Sequence, residues 1–221
     1  MPNMAQDIVE HAATRYGEKT ALIDGEHVLS FVEVNDRSLQ LAERLRDLGV
    51  QKGDAVAVQL PNSWEFVVAH LALARLGAIM VPVNLLYRQK ELSFMFSFAH
   101  VKAVIAISEW KGFDHAKMME SLRQTIPTLQ HIIIVGERKH PDHYSVEELL
   151  TGNGLSVNDD RISPDDPMIM MFTSGTESDP KAVIHTYETF IPAHLHNGQE
   201  YGLTADDVML CLTPMSHMFS L

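Results

Sequence analysis

The sequence has a single cysteine, Cys211, so it cannot form an internal disulfide; the thiol lies in the apolar run "VMLCL", where burial and inertness are expected. Cations are also scarce. With 17 Lys and Arg against 29 Asp and Glu, the formal charge is -12, which excludes a nucleic-acid surface, because a polyanion is held by clustered Lys and Arg that displace its counterions. Any phosphate site must therefore be local. No unbroken apolar segment reaches the roughly 20 residues that span a bilayer. The longest stretch, "VVAHLALARLGAIMVPV", is interrupted by His70, Arg75 and Pro82 and reads as a core helix running into a strand. The opening "MPNMAQDIVEHAATRYGEKT" lacks the basic start and apolar centre of a secretory signal, and no lipid-anchor motif occurs, so a cytoplasmic protein is expected. Internal repeats and low-complexity tracts are also missing.

What is present is enough apolar material, 46% of 221 residues, for one large α/β domain or two small ones. Ser30 followed by Glu33 spells a capping box, and Val34, Leu41, Leu45 and Leu48 recur at helical spacing, predicting a helix from near Phe31 that Gly49 ends. After "QKGD" comes the strand "AVAVQL". "PNSW" then supplies helix-start residues for a helix over about Trp64 to Gly77. In that helix Glu65, His70 and Arg75 are five apart and point three different ways, so it is expected to be covered on several sides, with His70 a hydrogen-bonded core residue.

The alternation continues through "AIMVPVN", a helix over about Arg88 to Ala99, "KAVIAIS", a helix around Asp114 to Gln124, and "HIIIVG", followed by a helical turn in "YSVEELL". Short β-branched runs alternating with helices predict an α/β fold with a layered, mostly parallel sheet flanked by helices. The turn-rich, acidic "TGNGLSVNDDRISPDDP" reads as a linker. The expected division is 1–150, a linker over 151–167, and the start of a second α/β subdomain over 168–221. That last part would hold a strand from Met168, a strand near "KAVIH", a helix around Tyr187 to Tyr201 and a strand "DVMLCL", too few elements to enclose a core.

Between its first two strands lies "MMFTSGTESDPKAVIHT". Backbone N–H groups and hydroxyls can donate to phosphate oxygens, Gly175 permits close backbone approach, and Lys181 adds a mobile charge. A plain polar turn uses the same residue types, but a hairpin turn needs two to five residues and this loop spends more. It is not a Walker loop, since Pro180 rather than glycine precedes Lys181, and "AVIH" after the lysine reads as strand, so the loop resembles a hairpin tip. Glu177 would oppose a phosphate by about 4 kcal/mol at 4 Å and an effective dielectric of 20. It must point away or share a cation such as Mg²⁺. Ser174 has no G-x-S-x-G context, which argues against a serine hydrolase. His140-x-x-His143 and His194-x-His196 each lack a second ligand pair in sequence, so no structural zinc is expected.

"MMFTSGTESDPK" resembles the signature loop of the adenylate-forming (AMP-binding) superfamily, with Glu177 and Ser178 in place of the usual Thr and Gly, and Ala182 in place of Gly. "GDAVAVQLPNSWEFVVAHLALARLGAIMVPVNLLYRQKEL" is similar to the acyl-CoA synthetase form of the N-terminal region, and "TPMSHMF" to the segment whose histidine borders the acyl pocket. The three stretches occur in the family's order. The resemblance implies the N-terminal part of an ATP-dependent carboxylate–CoA ligase, with ATP, Mg²⁺, coenzyme A and a fatty or aromatic acid as ligands. By position, Thr173, Ser174, Gly175, Thr176, Glu177 and Lys181 would hold the β- and γ-phosphates, Thr176 and Glu177 would face the Mg²⁺, and His217 would lie beside the acyl group. Members of the family are more than twice this length, so this portion alone is expected to be inactive. An amino-acid adenylation domain and a non-catalytic interaction module remain alternatives. The oligomeric state, a homodimer included, stays open.

Overall fold

The computed structural model describes residues 5–151, 162–173 and 181–217. In chain order the elements are α1 (Ala5–Tyr16), β1 (Thr20–Asp24), β2 (His27–Ser30), α2 (Phe31–Asp47), β3 (Ala55–Gln59), α3 (Trp64–Leu76), β4 (Ile79–Pro82), α4 (Gln89–Phe98) and β5 (Ala103–Ile107). There follow β6 (Glu109–Trp110), β7 (Phe113–Asp114), α5 (His115–Arg123), β8 (His131–Val135), β9 (Tyr144–Ser145), α6 (Val146–Leu149), β10 (Pro167–Thr173), β11 (Lys181–Thr186) and α7 (Tyr187–Glu200). The main sheet has 7 strands in the order β11-β10-β4-β3-β5-β8-β9. All neighbours are parallel except β11, which runs antiparallel to β10.

Pleat alternation divides the core. Val56, Val58, Ile105 and Ile133 face one side, where α2, α3 and α7 bury Leu41, Leu45, Phe66, Leu73, Tyr187 and Phe190. Ala57, Val104, Ile132 and Ile134 face the other, against Leu92, Met95 and Phe96 of α4 and Met118, Met119 and Leu122 of α5. The expected mostly parallel sheet with helices on both faces is what forms. The predicted cap on α2 is present: Glu33 N donates to Ser30 Oγ at 3.2 Å, and Ser30 N to Glu33 Oε2 at 2.8 Å.

α3 is covered on several sides, as its scattered polar residues imply. Arg75 is 0% exposed. It donates from Nε to Ser38 Oγ (3.0 Å), from Nη1 to Glu10 Oε1 (2.9 Å) and from Nη2 to Asn35 Oδ1 (2.7 Å), tying α1, α2 and α3 through one guanidinium. Burial lowers its pKa, and Glu10 partly restores it. His70 Nδ1 lies 3.2 Å from Met80 Sδ. Burial, with His194 nearby, pushes its pKa down to about 4.

The strand–hairpin–helix unit after the linker joins the same sheet. β10 meets β4 at Ile169 and Met80. Tyr187, 0% exposed, donates its hydroxyl to Ala74 O at 2.7 Å, and Lys52 Nζ lies 2.6 Å from Asp166 Oδ2. The structure departs from the sequence reading at the other end. "DVMLCL" forms no strand: Val208 is 87% exposed, and Met209, Leu210 and Leu212 are also exposed. Cys211, expected to be buried, is exposed with them. An apolar run becomes a buried strand only where a neighbour supplies a ladder, and no strand among the described residues pairs with 207–212. The hairpin β1–β2 is not anticipated either, nor are β6, β7 and β9, whose two residues each carry no period to read.

Tyr187→Phe removes the buried donor to Ala74 and is expected to lower unfolding free energy by about 1 kcal/mol, read as a shifted urea midpoint at constant slope; an unchanged midpoint would contradict this role. His115 is similarly held neutral: its Nδ1 is 3.0 Å from Gln59 Oε1, and burial, with the Arg88 charge, pushes its pKa down to about 4. As pH falls from 6.5 toward 4 the unfolded chain therefore takes up protons before the folded one does. Stability should be full above about pH 6.5 and decline toward pH 4, with a shallower decline in His115→Gln; urea midpoints that stay flat over this window would refute the assignment.

Candidate functional site

Because β10, β4 and β3 are mutually parallel, their carboxyl ends, Thr173, Pro82 and Gln59, open on one edge of the sheet. In open α/β sheets this edge is where loops converge on ligands. The connections leaving β3 and β4 lead to helices on opposite faces, α3 in the first core layer and α4 in the second, which leaves a crevice between them.

The hydroxyl-rich loop leaves from this edge. β10 and β11 pair antiparallel with Phe172 opposite Ala182 and Thr173 opposite Lys181, so the residues after Lys181 form a strand paired back on β10, as the strand-like "AVIH" implied. Directly opposed residues of a ladder present side chains on the same face. Thr173 and Lys181 are thus brought together, both exposed, with Thr173 Oγ1 donating to Lys181 O at 3.4 Å. Among the described residues no carboxylate lies within ion-pair distance of Lys181, so none of them neutralises its charge. Ser174, Gly175, Thr176 and Glu177 lie outside the described residues.

At the carboxyl end of β3, Asn62 does something the sequence reading missed. Its Nδ2 donates to Thr213 O at 2.8 Å and its Oδ1 accepts from Met215 N at 2.8 Å. One side chain thereby fixes the backbone at Thr213 and Met215 against the sheet edge, and Met215 packs on the first core layer. The segment then turns, with His217 N donating to Pro214 O at 2.9 Å and His217 itself exposed. In "PNSW", Asn62 and Ser63 read equally well as helix-start residues. The structure divides the work differently: Asp24 of β1 accepts from Trp64 N at 3.1 Å, Ser63 makes no side-chain cap bond, and Asn62 holds the downstream segment.

A cavity of about 920 Å³ separates β1 from the 205–211 segment, lined by Leu22, Ile23, Asn62, Met209 and Met215 among others. Thr173, Lys181 and His217 do not line it. No helix among the described residues is long and apolar enough to cross a membrane.

Comparison with known proteins gives this edge a family context. The family described as AMP-binding enzyme matches residues 9–221. The 2-hydroxy-7-methoxy-5-methyl-1-naphthoate–CoA ligase of Streptomyces carzinostaticus is 30% identical over 216 residues, covering 94% of this chain and 39% of the relative. The crotonobetaine/carnitine–CoA ligase of Salmonella paratyphi B is 30% identical over 213 residues, covering 92% of this chain and 40% of the relative. Among solved structures, apo MbtA of Mycobacterium smegmatis superposes with a TM-score of 0.89 at 25% identity, covering 98% of this chain and 40% of that one. The anthranilate CoA ligase AuaEII, in complex with anthranoyl-AMP, gives 0.79 at 25% identity, covering 90% and 38%. The chain thus spans about two fifths of the length of these relatives. With its mostly parallel sheet flanked by helices and a family match over residues 9–221, the chain belongs to the AMP-binding enzyme family of adenylate-forming enzymes.

Proposed function

We propose that these residues are the N-terminal part of an ATP-dependent carboxylate–CoA ligase whose phosphate grip is the β10–β11 hairpin. The observation that carries this is the pairing of Thr173 with Lys181, which places an exposed threonine and an exposed lysine opposite each other where β10 ends and β11 begins. In the first half-reaction a substrate carboxylate attacks the α-phosphate of ATP, forming the acyl–phosphate bond and releasing pyrophosphate. In the second, the thiolate of coenzyme A attacks the acyl carbon, forming the thioester and releasing AMP. Both leaving groups are anions. A cation near the β- and γ-phosphates is therefore worth most as the α–β bond breaks.

Thr173, Ser174, Gly175, Thr176 and Lys181 hold the triphosphate, and Glu177 with Thr176 face the Mg²⁺. A hydroxyl and a carboxylate are oxygen donors that suit that hard cation, which neutralises phosphate charge when bound. Asn62 positions the 213–217 segment so that His217 borders the acyl group, with the carboxylic acid entering at the crevice beside it. Residues 1–150 form the first subdomain, 151–167 the linker, and 168–221 open the second. An aromatic acid is the favoured substrate class over a fatty acid, since relatives named for naphthoate, salicylate and 2,3-dihydroxybenzoate are among those that match. The 221-residue chain, about two fifths of its relatives' length, is not expected to turn over alone.

In the full-length enzyme, Lys181→Ala is expected to lower acid-dependent pyrophosphate release by roughly 100-fold, the scale of losing one preorganised charge donor. No acid-dependent release by the wild type with any member of a panel of aryl and fatty acids would sink the ligase reading, whereas an unaffected Lys181→Ala would sink only the loop assignment. Asn62→Ala should raise KM for the acid about tenfold, the order of one lost charge-free positioning contact at about 1.4 kcal/mol, while KM for ATP holds. Equal effects on both substrates would show that Asn62 does not serve the acyl side.

A further inference from the structure

The sequence pair His140-x-x-His143 acquires a third donor in the fold. α5 places Glu120 against the connection between β8 and β9, so that one donor atom from each of Glu120, His140 and His143 lies within 4.8 Å of the other two. His143 Nε2 is 3.2 Å from Glu120 Oε2, and the His140 and His143 rings are 4.9 Å apart at 33°. The His143 side chain is only 1% exposed, and its Nδ1 is buried without a hydrogen-bond partner among the described residues. Asp142 Oδ2, at the rim, is 4.0 Å from His140 Nδ1.

We propose that Glu120, His140 and His143 bind one divalent transition-metal ion of the zinc class, which staples residues 136–143 to α5. Two imidazoles and one carboxylate are a donor set that zinc takes with a fourth position open, and Asp142 or water fills that position. The ligand imidazoles must be neutral. The ion replaces the proton that His143 Nε2 and Glu120 share. With metal–nitrogen bonds of about 2.0–2.1 Å, tetrahedral donors sit about 3.4 Å apart, so the cluster must contract from its present spacing. His140, part-exposed on a loop, is the member with freedom to move.

Two guanidiniums flank the site: Arg138 donates from Nη1 to His143 O at 3.4 Å, and Arg123 faces the donors themselves. Arg123 Nη2 lies 2.8 Å from Glu120 Oε2 and 3.7 Å from Asp142 Oδ2, so its guanidinium must turn toward Asp142 or solvent when the metal enters. This predicts an affinity set partly by Arg123. Glu120 is followed by 19 residues before His140, which is why no motif in the sequence announces the site.

Equilibrium dialysis of the chain against Zn²⁺ alone tests the proposal. One ion per chain should be retained, about tenfold or more weakly in His140→Ala and in Glu120→Gln, severalfold more tightly in Arg123→Gln, and unchanged in the double variant His194→Ala, His196→Ala. Because His143 is buried, the test rests on His140, whose replacement leaves the core intact; circular dichroism of each variant checks that it folds. Co²⁺ in place of Zn²⁺ should give a tetrahedral visible spectrum that His140→Ala loses. Failure of the wild-type chain to retain zinc, or equal retention by a folded His140→Ala, overturns the site, and neither result bears on the ligase reading.

Discussion

The structure turns on one joint, the seating of β10 against β4. The register contact is short, Ile169 beside Met80, and on its own would be a weak attachment for a hairpin and a helix. It is reinforced from both sides. The Tyr187 hydroxyl reaches the Ala74 carbonyl at the end of α3, Phe190 and Ile191 are buried in the first core layer, and Lys52 meets Asp166 at the strand's entry. Gly77 sits at φ +65°, and a Cβ there would meet Ile162 at 3.0 Å, so the chain passes close to the turn between α3 and β4 only because no side chain stands in the way. Without this joint, Thr173 and Lys181 would not stand at the carboxyl edge of the sheet.

From that edge the rest of the candidate site follows. Parallel strands deliver their carboxyl ends together, helices diverge to two faces, and the loops between are left to bind. Asn62 uses the end of β3 to anchor 213–215, so the segment with His217 and the hairpin with Lys181 are held by one rigid body, though by different strands. Arg75 provides the rigidity behind α3. It joins three helices through groups that each accept one of its donors, a buried cation compensated by a carboxylate, an amide and a hydroxyl.

Much of this was legible in the sequence. The Ser30–Glu33 box, the two-sided strands "AVAVQL", "KAVIAIS" and "HIIIV", and the strand after Lys181 carry local chemistry that the fold honours. What was not legible depends on distant partners. "DVMLCL" has strand composition but no ladder, so it and Cys211 are exposed. Asn62 looks like a cap until Asp24, 38 residues earlier, is seen to take that role. His140 and His143 look like an incomplete pair until α5 brings Glu120. In each case the missing information was tertiary, not a weak local signal.

The central claim, that the β10–β11 hairpin grips a polyphosphate, is tested most directly by nucleotide selectivity. Calorimetric titration of the full-length enzyme with Mg-ATP and with AMP, in wild type and Lys181→Ala, isolates the β- and γ-phosphates, with the Mg²⁺ they carry, as the difference between the ligands. The account predicts that the substitution weakens ATP binding by about tenfold or more, on the scale of one lost charge-assisted contact, and leaves AMP binding unchanged. Equal losses for both nucleotides, or none for ATP, would contradict it.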